Sequence, residues 1–207
     1  MRTHQSEYWD QFYTNVDTSS PIYPSQFAAF ALGEASFATK VIEFGCGNGR
    51  DAEFFASQGK DVLAFDASEV AINLCQSRNC RDNILFRKFA IGDPLEEGLF
   101  GSTETKTLLY ARFFLHAITD EQERQFVSLA SDILKEGSVL ALEYRCSGDE
   151  ENNKIFGNHY RRYIRHEDLC QYISENGFEI LYEIIGKGLA KYKSEDALVG
   201  RCIAAKR

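Results

Sequence analysis

The chain has little proline, a deficit of positive charge and no long apolar run. Three prolines in 207 residues leave few interruptions to helices and strands, which excludes a proline-rich or low-complexity polypeptide. Lysine and arginine number 23 against 31 aspartates and glutamates, a formal net charge of -8. A protein whose main partner is a nucleic-acid backbone needs a basic surface, so no nucleic acid is expected. No uninterrupted apolar stretch approaches a membrane span, and "MRTHQSEYWDQFY" lacks the apolar region of a signal peptide. No membrane partner is therefore expected, and the cytoplasm is the expected compartment. Six cysteines include no CxxC pair, and of the four histidines only His166 stands within a helical turn of a cysteine, Cys170. Two potential ligands do not make a zinc site, so no metal is expected, and the cysteines read as reduced structural thiols.

What remains is an ordinary compact composition, 44% hydrophobic and 26% charged, without repeats or a linker. One domain spanning residues 1–207 is expected, with 1–39 a helical segment capping it. "HQSEYWDQFYTN" reads as a short helix with an aromatic face of Tyr8, Trp9, Phe12 and Tyr13. In "SPIYPSQFAAFALGEA", Ser25 is the expected N-cap of a second helix.

From residue 40 strands and helices alternate. "KVIEF", "DVLAFD", "NILFRKFA", "TKTLLYARFF" and "SVLALEYR" have the length and apolar content of buried strands. Between or after them, "RDAEFFASQG", "SEVAINLCQSR" (capped by Ser68), "DEQERQFVSLASDILKEG" and "RHEDLCQYISENG" read as helices. This predicts an α/β fold, a Rossmann-like parallel sheet with helices on both faces. At the end, "FEILYEIIGKG" and "ALVGRCIAAKR" are strand-like with only "LAKYKSED" between them. A parallel crossover needs a dozen or more residues, so this pair is expected to form an antiparallel hairpin.

The most informative stretch is "VIEFGCGNGRD", residues 41–51. Glycine allows positive φ and lets a ligand approach the backbone without a Cβ in the way. In open α/β sheets ligands lie at the carboxyl ends of the strands, where Gly45, Gly47 and Gly49 would sit. The dinucleotide pattern GxGxxG, started at Gly45, requires a third glycine where this chain has Arg50; the observed pattern is GxGxG. Asp66 ends the second strand, 19 residues after Gly47, and an acid there can accept hydrogen bonds from both hydroxyls of an adenosine ribose. That feature serves a nicotinamide dinucleotide and S-adenosylmethionine equally.

With its strand, loop, helix and following acid, "VIEFGCGNGRDAEFFASQGKDVLAFDASEVAI" resembles the first motif of class I S-adenosylmethionine-dependent methyltransferases. The terminal hairpin extends the resemblance over nearly the whole chain. It implies S-adenosylmethionine as cofactor and S-adenosylhomocysteine as product. Glu43 and the loop through Gly45, Cys46, Gly47 and Asn48 would face the methionine portion, and Asp66 would hold the ribose. Asp93 in "AIGDPL" matches the acid that approaches the adenine amine, although an Asp before Pro94 is also an ordinary turn starter. The amino-terminal segment is similar to the cap of smaller bacterial members, which places Trp9, Tyr13 and Ser25 over the cofactor; the other reading has Trp9 and Tyr13 simply gluing a helix to the core.

For the acceptor the signal is thinner. Arg112 and His116 follow the fourth strand, beside the expected cofactor, and His116 can act as general base or as a structural histidine. The [DN]PP[YFW] motif of many nitrogen methyltransferases is missing, which favours oxygen as nucleophile, with a small-molecule N-methyltransferase as the alternative. Arg145, His159, Tyr160, Arg161 and Arg162 lie in the connection expected to close the substrate side, with Lys187, Lys191 and Lys193 near the hairpin. Arginine binds carboxylate and phosphate bidentately, so a small anionic acceptor is expected, such as a phosphate- or carboxylate-bearing metabolite or sugar. The competing reading is a solvated loop whose arginines pair with Glu167, Asp168 and the acids at 149–151. "ARFFLHAI" with "HYRRYI" also resembles bacterial methyltransferases that modify surface polysaccharides. Two rival classes stay open, a nicotinamide oxidoreductase and a non-catalytic protein of the same fold, and the sequence is silent on oligomeric state.

Overall fold

A computed structural model describes residues 2–15, 21–101, 104–150 and 160–207. Two helices, α1 (Arg2–Asn15) and α2 (Gln26–Glu34), precede the sheet. There follow β1 (Lys40–Phe44), α3 (Arg50–Ser57), β2 (Asp61–Asp66), α4 (Glu69–Arg78), β3 (Ile84–Lys88) and β4 (Thr107–Arg112). A 3-10 turn at Leu115–Ala117 leads to α5 (Asp120–Ile133), β5 (Val139–Arg145), α6 (His166–Glu175), β6 (Phe178–Gly186) and β7 (Val199–Lys206). The seven strands form one sheet in the order β3-β2-β1-β4-β5-β7-β6. The first five pair in parallel, and β7 lies antiparallel between β5 and β6. This is the class I methyltransferase arrangement, with the expected hairpin inserted as the last two strands.

Both faces of the sheet are covered, so inner strands are buried at successive positions rather than alternating between core and solvent, as β5 is at all seven. Along β4, Leu108 and Tyr110 belong to the core beneath α2 and α3, while Leu109 and Ala111 belong to the one beneath α5 and α6. The second core is aromatic at its centre: the Phe44 ring lies 5.3 Å from Phe126, 5.4 Å from Phe65 and 6.0 Å from Phe114. Two helices start at their predicted caps, Ser25 and Ser68, and α5 has a further cap at Thr119. Ala28 N donates to Ser25 Oγ at 3.0 Å, Ala71 N to Ser68 Oγ at 3.2 Å, and Thr119 with Gln122 forms a capping box on α5. Among the described residues no helix is long and apolar enough to cross a membrane.

One strand ends earlier than its apolar run predicts. β4 stops at Arg112 because Phe113 turns into the left-handed region, φ 53°, while its N–H still donates to Glu143 O at 2.8 Å. An aromatic residue there costs about 1–2 kcal/mol, and the strand is thereby turned at the mouth of the sheet.

Gly49 and Gly59 have nearly the same backbone, φ 78° and 77°, in different surroundings. A Cβ at Gly49 would stand 2.9 Å from Cys75 Sγ and 3.2 Å from the Phe86 ring, whereas at Gly59 it would meet nothing within 4 Å. Gly59→Ala is expected to cost only the left-handed penalty, about 1–2 kcal/mol. Gly49→Ala adds overpacking, for a total of about 2–5 kcal/mol. Urea unfolding of the two variants measures the difference.

Candidate active site

The carboxyl ends of β1, β2, β4 and β5 open into two adjoining cavities that share Trp9, Tyr13, Gly45 and Phe113. The smaller, about 320 Å³, is bordered by Asp66, Phe89, Ile91, Asp93 and Phe114. The larger, about 500 Å³, is bordered by Glu43, Cys46, Gly47, Asn48, Arg112, His116, Arg145, Arg161 and the β6–β7 connection from Gly188 to Ala197.

The loop between them is shaped by its glycines. Gly45 and Gly47 have φ of 75° and 55°. A Cβ on Gly45 would lie 3.1 Å from the Phe114 ring, and one on Gly47 would lie 2.5 Å from the Tyr13 hydroxyl. Asp66 fastens the loop to β2: Gly47 N donates to Oδ2 and Ser68 N to Oδ1, both at 2.9 Å. Each carboxylate oxygen keeps further acceptor capacity. Burial raises the Asp66 pKa above the usual carboxylate range, and the N–H groups of Ser68 and Gly47 pull it back. Below the loop, Cys75 Sγ donates to Gly47 O at 3.3 Å, and the Cys46 thiol is buried.

Glu43 is the least satisfied polar group in the cleft. It is 3% exposed, and its Oε2 has no hydrogen-bond partner among the described residues. Burial, and then the neighbouring Asp51, push its carboxyl well above the ordinary range. A buried carboxyl oxygen left unsatisfied at the edge of a cavity calls for a donor from a ligand, and a cationic one fits best. The donor set thus suits an adenosine carrying an amino acid: Asp66 for vicinal hydroxyls, Glu43 for an ammonium.

The amino-terminal segment is tied over this cleft at several points. Ser68 Oγ donates to Asp10 Oδ1 at 2.6 Å, and Asn48 Nδ2 donates to Pro21 O at 3.2 Å. The Trp9 and Tyr13 rings stack at 6.2 Å on the wall common to both cavities. Ser25 borders the larger cavity, but its hydroxyl donates to Asp51 Oδ2 at 2.8 Å and caps α2. Asp93 closes a turn, its Oδ2 accepting from Ala90 N at 2.8 Å, and also borders the smaller cavity.

The arginines are largely engaged within the protein. Arg112 Nε donates to Glu143 Oε1 at 2.7 Å, and Arg201 Nε donates to the other oxygen at 2.8 Å. Arg145 lies between Asp149, at 2.6 Å, and Glu195. Arg162 borders neither cavity; it clasps Asp120, Glu123 and the carbonyls of Leu115 and Ile118. Tyr160 is 47% exposed and also borders neither cavity, and His159 lies outside the described residues. Of the five residues picked from sequence for the acceptor, the structure brings Arg145 and Arg161 to the larger cavity.

Sequence reasoning missed Phe113. Its ring borders both cavities and carries the Arg112 guanidinium at 4.3 Å and that of Arg145 at 5.5 Å, with the His116 ring at 5.4 Å. Nothing in "YARFFLHAI" marks this phenylalanine as different from the next. Asp51 and Glu195 were missed for a related reason, since their partners are remote in sequence.

Residues 41–137 match the family described as "Methyltransferase domain". The chain has the fold of class I S-adenosylmethionine-dependent methyltransferases, and its residues 41–137 carry the domain match. Solved structures of similar fold include an S-adenosylmethionine-dependent methyltransferase from Anabaena variabilis, 19% identical with a TM-score of 0.75, the match covering 100% of this chain and 95% of that one. The CcbJ methyltransferase from Streptomyces caelestis is 12% identical with a TM-score of 0.72, over 100% and 99% of the two chains. The magnesium protoporphyrin IX methyltransferase of Synechocystis, solved with S-adenosylhomocysteine, is 12% identical with a TM-score of 0.65, over 99% and 84%. No curated protein matches the chain in sequence.

Glu43 makes a pH-dependent prediction for the methyltransferase. Its folded carboxyl holds a proton more tightly than the unfolded one, so its burial penalises folding increasingly as pH rises from the ordinary carboxylate range through the raised value. Glu43→Gln cannot ionise and is expected to raise the Tm, more at alkaline than at acidic pH. The same variant should lose at least tenfold in affinity for S-adenosylhomocysteine. Thermal melts across pH, with calorimetric titration, check both directions.

Proposed function

We propose that this methyltransferase moves the methyl group of S-adenosylmethionine to an oxygen of a small anionic acceptor, a phosphate- or carboxylate-bearing metabolite or sugar, and releases S-adenosylhomocysteine. The observation that carries the cofactor seat is the joined cleft, with Asp66 at one end and the unsatisfied Glu43 carboxyl where the cavities meet the glycine loop. When bound, the cofactor supplies a methyl on a sulfonium, an electrophile that needs no further activation. Asp66 would accept from the ribose hydroxyls, Asp93 from the adenine amine, and Glu43 from the ammonium of the methionine portion. Trp9 and Tyr13 would exclude water from the junction.

The transition state of such a displacement disperses charge, so positioning and desolvation supply most of the catalysis. His116, 4% exposed at the cavity wall, is the base we assign. As general base it would take the acceptor's proton. Support for an anionic acceptor is the cavity's charge: Arg50, Arg112, Arg145, Arg161 and Lys191 border it, against Glu43, Asp51 and Glu195. Arg161 and Lys191, which border the same cavity, are assigned the acceptor's anionic group. The cytoplasm is the proposed compartment, in keeping with six free thiols.

Titration with S-adenosylhomocysteine and, separately, with NADH tests the reading. Micromolar binding of the first only, abolished in Asp66→Ala, is expected; binding of NADH, or of neither, would overturn it. Methyl incorporation from labelled cofactor into a panel of sugar phosphates and small carboxylic acids then tests the acceptor. With an acceptor in hand, Arg161→Glu combined with Lys191→Glu should raise its KM by more than tenfold. Arg162→Glu should instead lower stability, by about 2–3 kcal/mol.

A further inference from the structure

Away from the cleft, α6 packs against the β6–β7 hairpin across a small group of polar side chains that none of the reactions above uses. His166 and Cys170 stand one turn apart on α6 and are 8% and 6% exposed. Glu183 on β6 faces them, and its register partner on β7 is the fully buried Cys202. His166 Nε2, Cys170 Sγ and a Glu183 carboxylate oxygen all lie within 4.8 Å of one another. None of these residues borders either cavity of the cleft.

We propose that His166, Cys170 and Glu183 form a binding site for a divalent transition metal of the zinc class.

Two of the three donor separations match a tetrahedral coordination sphere, and the third lies within 4.8 Å. Zn–S of about 2.3 Å and Zn–N and Zn–O of about 2.0–2.1 Å, at tetrahedral angles, put S and N about 3.5 Å apart and N and O about 3.3 Å apart. The corresponding separations here are 3.6 Å from His166 Nε2 to Cys170 Sγ and 3.4 Å from Nε2 to Glu183 Oε2. An ion pair of His166 with Glu183 alone would not need a thiol at the same point. The ring is also held as a ligand must be: Tyr144 Oη lies 2.8 Å from Nδ1, so Nδ1–H can donate outward while Nε2 faces the other two donors.

Donor chemistry selects the ion. A thiolate with an imidazole and one carboxylate suits zinc or cobalt, whereas magnesium and calcium require oxygen ligands throughout. The Glu183 side chain is 53% exposed, which gives an ion a route from solvent and leaves room for water in the fourth position. The fully buried Cys202, register partner of Glu183, lies on the strand behind the site. Binding displaces the Cys170 proton to solvent and joins α6 to the edge strand β6. In the sequence His166 and Cys170 are two ligands only; the fold supplies the third from a strand.

The full chain, reduced with a phosphine and stripped with a chelator, is titrated with cobalt(II) and followed by its thiolate-to-metal charge-transfer absorption. One cobalt per chain, displaced by zinc, is expected, and zinc should raise the Tm of the wild type. Cys170→Ser should abolish the charge-transfer band, and Glu183→Gln, a conservative change at a half-exposed position, should weaken binding at least tenfold with an unchanged circular dichroism spectrum. Cys80→Ser, which removes the exposed thiol, should leave binding intact. The site is refuted by a wild type without the band, by a band that survives Cys170→Ser, by unchanged affinity in Glu183→Gln, or by a band lost in Cys80→Ser. The methyl-donor reading can fail without affecting this result, because S-adenosylhomocysteine titration reports on a separate cleft.

Discussion

The buried carboxylate of Asp51 is the point at which the parts of the cleft are joined. It stands in the first turn of α3, directly after the glycine loop, and is 4% exposed. Ser25 N reaches its Oδ1 at 2.7 Å, and the hydroxyls of Ser25 and Tyr110 both reach Oδ2 at 2.8 Å. One side chain thus links the segment before the sheet, the loop helix and the central strand β4. A charge this deep in the protein is tolerable only with such a set of donors, and removing any of them leaves a desolvated group behind. The amino-terminal wall of the cleft is therefore fixed to the same anchor that sets the loop.

The cleft's other electrostatic feature is that its guanidiniums are paired before any ligand arrives. Glu143 on β5 holds Arg112 with one oxygen and Arg201 with the other, and Arg145 is shared by Asp149 and Glu195. These pairs bind the ends of β4, β5 and β7 to the β6–β7 connection. The guanidinium carbons of Arg112 and Arg145 then lie over the ring of the strained Phe113. Such a wall is rigid and already desolvated, which suits a reaction accelerated by positioning more than by charge transfer from the protein.

The inserted antiparallel strand shapes both ends of the molecule. β7 brings Arg201 to Glu143 near the cleft and, one residue on, Cys202 to the α6 side, because successive residues of a strand face opposite ways. The connection before it supplies Lys191, Tyr192 and Glu195 to the larger cavity. One hairpin therefore borders the larger cavity through its connection and carries Glu183 to the thiol and imidazole of α6.

The sequence by itself determined the order and kind of the elements, the antiparallel hairpin, the glycine loop, and Asp66 beside it. Those features are written in short-range signals: apolar run length, capping residues at Ser25 and Ser68, and a loop whose glycines carry positive φ. Tertiary structure alone decided how the ionisable side chains are used. Arg162 reads like a ligand in "HYRRYI" but folds back onto Asp120 and Glu123, and Phe113 is singled out by its φ of 53° and its place on both cavities. Glu183 reaches His166 and Cys170 only because β6 folds back along α6. Local periodicity fixes which way a backbone runs, whereas the partner of a charge is set by where distant segments meet, and no window of sequence contains both.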